Sequence, residues 1–248
     1  MPVSALRVEH EGHVLRVTLA RPERRNAFDA ALIAELADVF ADVGDARAVV
    51  LSGEGSNFCA GADVEWQRAA VDLGYEENVE DAMRLYRMLE AIDSCPAPVV
   101  CLAHGYVLGG GCGLVACADI AVAKGDAEFG FTEVRLGIVP AVISPFVLPK
   151  IGPAARRYFL TGERFGADVA MRIGLVHEVA DDGVAAVEGV VESLLAGGPE
   201  AIRTAKRLVR EPPAGIESAR IAATRRTSDE GQDGLRAFLD KRRPGWVD

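Results

Sequence analysis

Apolar and polar positions alternate through Val14-Leu15-Arg16-Val17-Thr18-Leu19, the two-residue period of a strand, and a charged loop broken by proline follows at Arg21-Pro22-Glu23-Arg24-Arg25-Asn26. Asp29 then stands where a helix N-cap belongs. Leu32, Leu36, Val39, Phe40 and Val43 recur every three to four positions, which predicts a helix with one buried stripe, ended by Gly44. The wholly apolar Ala48-Val49-Val50-Leu51 predicts a buried strand that runs into the turn-rich Ser52-Gly53-Glu54-Gly55-Ser56-Asn57 and on to Phe58-Cys59-Ala60-Gly61-Ala62-Asp63. Residues 64–80 are acidic and weakly patterned, the pattern of a mobile segment. Helical spacing resumes at Met83, Tyr86, Leu89 and Ile92 until Cys95-Pro96-Ala97-Pro98 breaks it. Val99 to Ala103 and Ile120 to Ala123 read as further buried strands, with His104-Gly105-Tyr106-Val107-Leu108 and Gly109-Gly110-Gly111 between them. From Ala154 onward the pattern is nearly all helical, with Gly152-Pro153 and Gly198-Pro199 marking helix starts. Strand and helix periods that interleave in this way predict an α/β fold of repeated ββα or βαβ units with a helical tail and no separating linker.

Charge narrows the partners. Lys and Arg number 27 against 37 Asp and Glu, a net charge of −10, and such a field repels nucleic acid and anionic membranes. A phosphate-bearing ligand therefore needs a local basic pocket. The apolar runs Ala97–Ala103 and Leu114–Ala123 stop well short of the roughly 20 residues that span a bilayer. Met1 to His10 carries charges where a signal peptide needs an apolar region, which predicts a mature chain that begins here and stays in the cytoplasm. Cys59, Cys95, Cys101, Cys112 and Cys117 are odd in number and lack metal-like pairing, so they read as reduced thiols used as small core residues. His104 reads as a structural histidine at a strand end. His13 and His177 have no companion ligands, and no metal is expected.

Three successive glycines cost backbone entropy, so they belong where the chain approaches another group closely or takes torsions closed to other residues. A tight helix start is the plain reading of Gly109-Gly110-Gly111. Its place between a strand and an apolar helix also leaves free N–H groups and the positive helix end facing outward, which suits an oxyanion or a phosphate. The Lys and Ser/Thr of a P-loop are missing, and the dinucleotide fingerprint is not satisfied. Ala60-Gly61-Ala62 is a second small-residue turn after a strand. Two N–H groups converging from such turns would form an oxyanion hole, which stabilises charge developing on a carbonyl oxygen.

Four stretches carry a resemblance: Phe58 to Asp63, His104 to Cys112, Phe129-Gly130-Phe131-Thr132-Glu133-Val134-Arg135-Leu136-Gly137-Ile138-Val139-Pro140, and Leu160-Thr161-Gly162-Glu163-Arg164-Phe165 with Gly174-Leu175-Val176. In this order and spacing the chain resembles the enoyl-CoA hydratase/isomerase, or crotonase, superfamily over essentially its whole length. The resemblance implies a crotonase-like spiral of ββα units across residues 1–195. Residues 196–248 would be a C-terminal helical region of the same structural unit, used for assembly into a trimer or a hexamer of two trimers. It implies an acyl-CoA thioester as substrate, with no separate cofactor because coenzyme A is part of that substrate. Carried over by motif, the catalytic set is Glu133 as the acid/base with the N–H groups of Ala62 and Gly110 on the thioester oxygen. The substrate-binding set is Arg25, Ala60, Gly109, Gly113 and Lys241, in which Arg25, beside Arg24, and Lys241 meet coenzyme A phosphates, Lys241 from a neighbouring subunit.

One departure bears on the reaction. Hydratases of the familiar type carry two glutamates, the first directly after the glycine run, and here that position is Gly113. A single glutamate resembles the Δ3,Δ2-enoyl-CoA isomerases, which move one proton and need no activated water. Gly113, the run Gly137 to Phe146 and the stretch Ala155 to Phe165 instead resemble the hydratases of 3-methylglutaconyl-CoA and isohexenylglutaconyl-CoA, whose acyl chains bear a carboxylate. That carboxylate, or an acid such as Glu65 or Glu76, would then orient the water. Hydratase is the main expectation, isomerase and a catalytically weak acyl-CoA binder the alternatives. A decarboxylase stays possible. A dehalogenase is disfavoured, since Ala141 stands where its nucleophilic aspartate would be.

Overall fold

The computed structural model describes residues 4–247, so the first three residues of the charged N-terminal stretch lie outside the described residues. Strand β1 (Leu6–Glu11) turns back antiparallel onto β2 (Val14–Leu19). Helix α1 (Ala30–Ala41) starts as its sequence predicts: the Asp29 side chain accepts from Leu32 N at 2.9 Å, and Leu32, Leu36 and Phe40 are buried. It stops at Ala41, before Gly44, because Asp42 already takes extended torsions (φ −145°, ψ 100°) on the way to β3 (Ala48–Gly53), which lies parallel to β2.

Residues 64–80 differ from expectation. They form helix α2 (Val64–Ala70) and the first turns of α3 (Tyr75–Ser94). Asp63 caps α2 by accepting from Glu65 N at 2.8 Å, and Glu77 reaches back to Gly74 N at 2.8 Å to close the start of α3. Arg21 ties the caps of α1 and α2 together, with Asp29 at 2.8 Å and the buried Asp63 at 3.4 Å.

The spiral then repeats a strand of a large sheet, a strand of a small sheet and a helix. Strand β4 (Val99–Ala103) joins the large sheet, β5 (Tyr106–Leu108) opens the small one, and α4 (Gly110–Cys117) follows. Next come β6 (Ile120–Lys124), β7 (Glu128–Gly130), a 3-10 turn over Thr132–Leu136 and α5 (Ser144–Ile151). The last turn contains α6 (Ala155–Thr161), β8 (Arg164–Gly166), α7 (Ala167–Arg172), β9 (Glu178–Ala180) and α8 (Gly183–Ala196). The large sheet runs β1-β2-β3-β4-β6-β9 and the small one β5-β7-β8, the expected α/β spiral of ββα units.

Strand period decides which face goes where. Leu15, Val17, Val49, Leu51 and Cys101 point into the main core with α1, α3 and α4, while Val14, Val50, Val100 and Val122 face the other way and are covered by Val187 and Val191 of α8. Burying each such valine contributes about 1.5–3 kcal/mol. All five cysteines are free and buried in the core, as expected; burial pushes the Cys59 thiol up to about 12, far from a nucleophilic thiolate at neutral pH.

Three helices complete the chain: α9 (Pro199–Arg210), α10 (Ile216–Thr227) and α11 (Asp229–Asp240). A buried cation anchors α9. Lys206 Nζ donates to Ala97 O at 3.0 Å and to Asp119 Oδ2 at 2.6 Å, and the same Asp119 oxygen accepts from Val99 N at 2.7 Å. Among the described residues no helix is long and apolar enough to cross a membrane.

Candidate active site

The site begins with backbone held in an unusual shape. Arg25 and Asn26 both take left-handed torsions, with φ of +52° and +54°, which non-glycine residues adopt only where surroundings hold them. The fully buried Asn26 side chain supplies that hold: Nδ2 donates to Glu54 O at 2.9 Å and Asn57 O at 2.8 Å, and Oδ1 accepts from Arg21 N at 2.9 Å. The loop thereby turns Phe28 onto Gly61-Ala62-Asp63. Phe28 N donates to Gly61 O at 2.8 Å and Asp63 N donates to Phe28 O at 2.7 Å, so Phe28 and Ala62 face each other as partners in a short parallel bridge. Because the groups on either side of Ala62 point at Phe28, the Ala62 N–H points the opposite way. It meets no acceptor among the described residues.

The second turn sits at the β5–α4 junction. Gly109 has φ +52° and ψ −117°, a combination closed to residues with a side chain, and its N–H donates to Gly130 O at 2.9 Å. Gly110 and Gly111 then begin α4, where N–H groups have no intrahelical partner, and neither finds an acceptor among the described residues. Close approach explains both glycines. A Cβ on Gly110 would lie 2.6 Å from the Phe28 ring, and one on Gly111 would lie 2.5 Å from Cys59 O.

Both turns open into one cleft of about 380 Å³. Ala60, Gly61, Ala62, Gly109 and Gly110 form one part of its lining, and Glu133 stands beside them on the 3-10 turn. A Cβ at Gly109 would come within 3.2 Å of Glu133 Oε1, so the glycine also makes room for the carboxyl group. Glu133 Oε2 is buried with no hydrogen-bond partner. Burial raises the Glu133 pKa above the ordinary carboxylate range, with a smaller opposing effect from a backbone hydrogen bond. An uncompensated carboxyl group is costly as structure, and it is what a group needs that must take up and release a proton near neutral pH.

The remaining expected residues are spread more widely. Arg25 is not among the lining residues: its carbonyl accepts from the N–H of the lining residue Ala60 at 3.0 Å, while its exposed guanidinium lies 5.9 Å from the Tyr106 ring centroid. Lys241 caps the C-terminus of α11 with φ +55°, exposed and outside the cleft lining of this chain. His104 has a structural partner, with Nε2 3.1 Å from Gly55 O. Glu65 pairs with Arg68 at 2.8 Å on the outer face of α2, and Glu76 is exposed on the first turn of α3; neither lines the cleft.

Gly113 is fully buried one turn into α4 and is not among the lining residues. A Cβ there would sit 2.8 Å from Ile143 Cγ2 and 3.4 Å from Leu89 Cδ1. Ile143, which does line the cleft, fills the space that a side chain on residue 113 would need. Gly113→Glu is therefore expected to destabilise the fold by at least ~1–3 kcal/mol through overpacking, with more from a buried unpaired carboxylate, and not to raise activity. Thermal melts check this; an unchanged melting temperature contradicts it.

Sequence reasoning missed the part of the cleft lining that α2 and α3 supply. Trp66, Gln67 and Ala70 from α2 and Asn78, Asp81, Ala82 and Leu85 from α3 form it. The signal was available, since 78, 81 and 82 continue the stripe of Leu85 and Leu89 back along the helix at three-to-four-residue spacing.

Comparison with known proteins identifies the family and the fold. The enoyl-CoA hydratase/isomerase family matches residues 9–248. Pseudomonas aeruginosa AtuE superposes with a TM-score of 0.94 at 38% identity, covering 98% of this chain and 100% of that one. An enoyl-CoA hydratase from Shewanella pealeana gives a TM-score of 0.93 at 36% identity over 98% of this chain and 96% of that one. The crotonyl-CoA hydratase of Syntrophomonas wolfei is 30% identical over 255 aligned positions, 97% of this chain and 96% of the relative. With its motifs in order from end to end and its spiral superposing on these structures, the chain belongs to the enoyl-CoA hydratase/isomerase family.

Proposed function

We propose that the chain is an enoyl-CoA hydratase, adding water across the α,β double bond of an acyl-CoA thioester. The N–H groups of Ala62 and Gly110 receive the thioester oxygen, and Glu133 delivers a proton to the α carbon as the enolate collapses. The observation that carries the reading is the buried, unpartnered Glu133 Oε2 in the same cleft as two unpartnered backbone donors. Two preorganised donors act where charge develops in the transition state, and each is worth about 3–4 kcal/mol there. In this reading the exposed guanidinium of Arg25 meets the phosphates of coenzyme A.

The acyl chain is read as short and neutral. No Lys or Arg lines the cleft among the described residues, whereas Asp81 does, so a carboxylate-bearing chain of the methylglutaconyl type would meet a like charge and no cationic partner. The crotonyl-CoA hydratase among its relatives supports the same choice. Mixed with crotonyl-CoA, the protein is expected to remove the absorbance of the conjugated thioester; unchanged absorbance with short 2-enoyl-CoA substrates refutes hydration.

Isomerisation of a 3-enoyl-CoA is the second reading, favoured by the packing of Gly113 against Ile143, which leaves no carboxylate on α4. It would appear as a gain of the same absorbance from a 3-enoyl substrate. The assembly is read as a homotrimer or a hexamer, in which exposed Leu235, Phe238 and Leu239 of α11 become covered and Lys241 of a neighbour reaches coenzyme A. Sedimentation that finds only monomer refutes this.

A further inference from the structure

A hydratase needs a second group to hold and deprotonate the attacking water, and α4 does not provide it. We propose that Asp81 of α3 fills this role, so that the pair of acids comes from α3 and the Thr132–Leu136 turn instead of from α4 and that turn. The inference rests on the hydratase reading above.

Three observations carry it. Asp81 and Glu133 line the same cleft, and they are its only acids among the described residues. The Asp81 side chain is 18% exposed, and its one ion-pair partner among the described residues, Arg84 Nη1, stands 4.0 Å away, outside hydrogen-bond distance. No described residue donates a hydrogen bond to its carboxylate, which leaves both oxygens available to a water in the cleft. The polar neighbours are suited to the same water. Asn78, one turn earlier on the same face, spends its Nδ2 on Leu73 O and Gly74 O, each at 3.0 Å, and keeps Oδ1 as an acceptor. Gln67 on α2 completes a polar patch in a wall otherwise made of Trp66, Ala70, Ala82 and Leu85.

The step balances without an added reagent. The oxygen of water forms the bond to the β carbon while one of its protons passes to Asp81. The π electron pair moves to the thioester oxygen as an enolate, held by the two N–H groups. The enolate then takes the proton of Glu133 at the α carbon, and solvent returns the proton from Asp81 to Glu133.

Asp81→Asn keeps size and polarity and removes the base. Its hydration kcat for crotonyl-CoA is expected to fall about 10²–10⁴-fold, the usual contribution of a positioned acid or base, with KM near the parent value. Exchange of the α proton of butyryl-CoA with deuterated water needs only Glu133 and the N–H pair, so in the same variant it should stay near the parent rate, while Glu133→Gln loses both reactions. Hydration at the parent rate in Asp81→Asn overturns the proposal. So does loss of hydration and exchange together, which would mark Asp81 as part of the wall and not of the water site. A parent protein that isomerises 3-enoyl-CoA without hydrating any 2-enoyl-CoA overturns the hydratase reading itself, and is distinguished because the parent is assayed first.

Discussion

Glu133→Gln is expected to lower hydration kcat by about 10²–10⁴-fold and, at neutral pH, to raise the melting temperature. The two effects share one cause. Burial keeps the Glu133 proton on to higher pH than the ordinary value of 4.5, so the native state binds a proton that the unfolded chain has released. Stability from this group is complete below the unfolded value and is lost as pH rises through the higher native one. Glutamine does not titrate. The variant should therefore match the parent in acid and exceed it above the native Glu133 pKa, an exchange of stability for activity of the kind active sites commonly make. Melts across pH together with the crotonyl-CoA assay check both halves. A variant that keeps its rate removes Glu133 from the chemistry, and one that melts lower at neutral pH contradicts the cost assigned to its buried oxygen.

Lys206→Met should lower stability by about 3 kcal/mol, the lower end of what removal of one partner of a buried ion pair costs. Lys206 is nearly buried at 6% side-chain exposure, but Asp119 at 27% retains some water, which moderates the loss. The variant strands the Ala97 carbonyl and leaves Asp119 with Val99 N as its remaining hydrogen-bond donor. For a chain of this size a loss of that order lowers the melting temperature by roughly 6–12 °C. Adding Asp119→Asn should restore part of the loss, because the unpaired charge is then gone. A single variant that melts with the parent would show that α9 is held by its other contacts.

The parts of the fold that were legible in the sequence are those whose pattern answers to one surrounding. Helix α1 packs one stripe on the core and has Asp29 to cap it, while β3 and β4 are buried and read as apolar runs. The glycine run was legible as a strand-to-helix junction because only glycine tolerates the Gly109 torsions. Strands β5, β7, β8 and β9 are three residues each, too short to show a period, and exist because neighbours pair with them. Residues 64–80 looked irregular for another reason. Their inner face borders the cleft, with Trp66 also touching the core, so Trp66 and Ala70 share it with Gln67 and Asn78, and the mixed lining dilutes the helical period. The same mixture hid Asp81. Lys241 was named from motif alone, and within one chain nothing brings it to the cleft.

Phe28 does more than fill space. Its main chain fixes the strand segment that presents one donor, and its ring abuts the glycine that presents the other. The separation of the two amides is thus gauged by an aromatic spacer with no chemistry of its own. If those amides hold the substrate carbonyl as proposed, its tolerances are inherited from the hydrophobic interior, and loosening the residues beneath that ring should blunt turnover before it shows as unfolding.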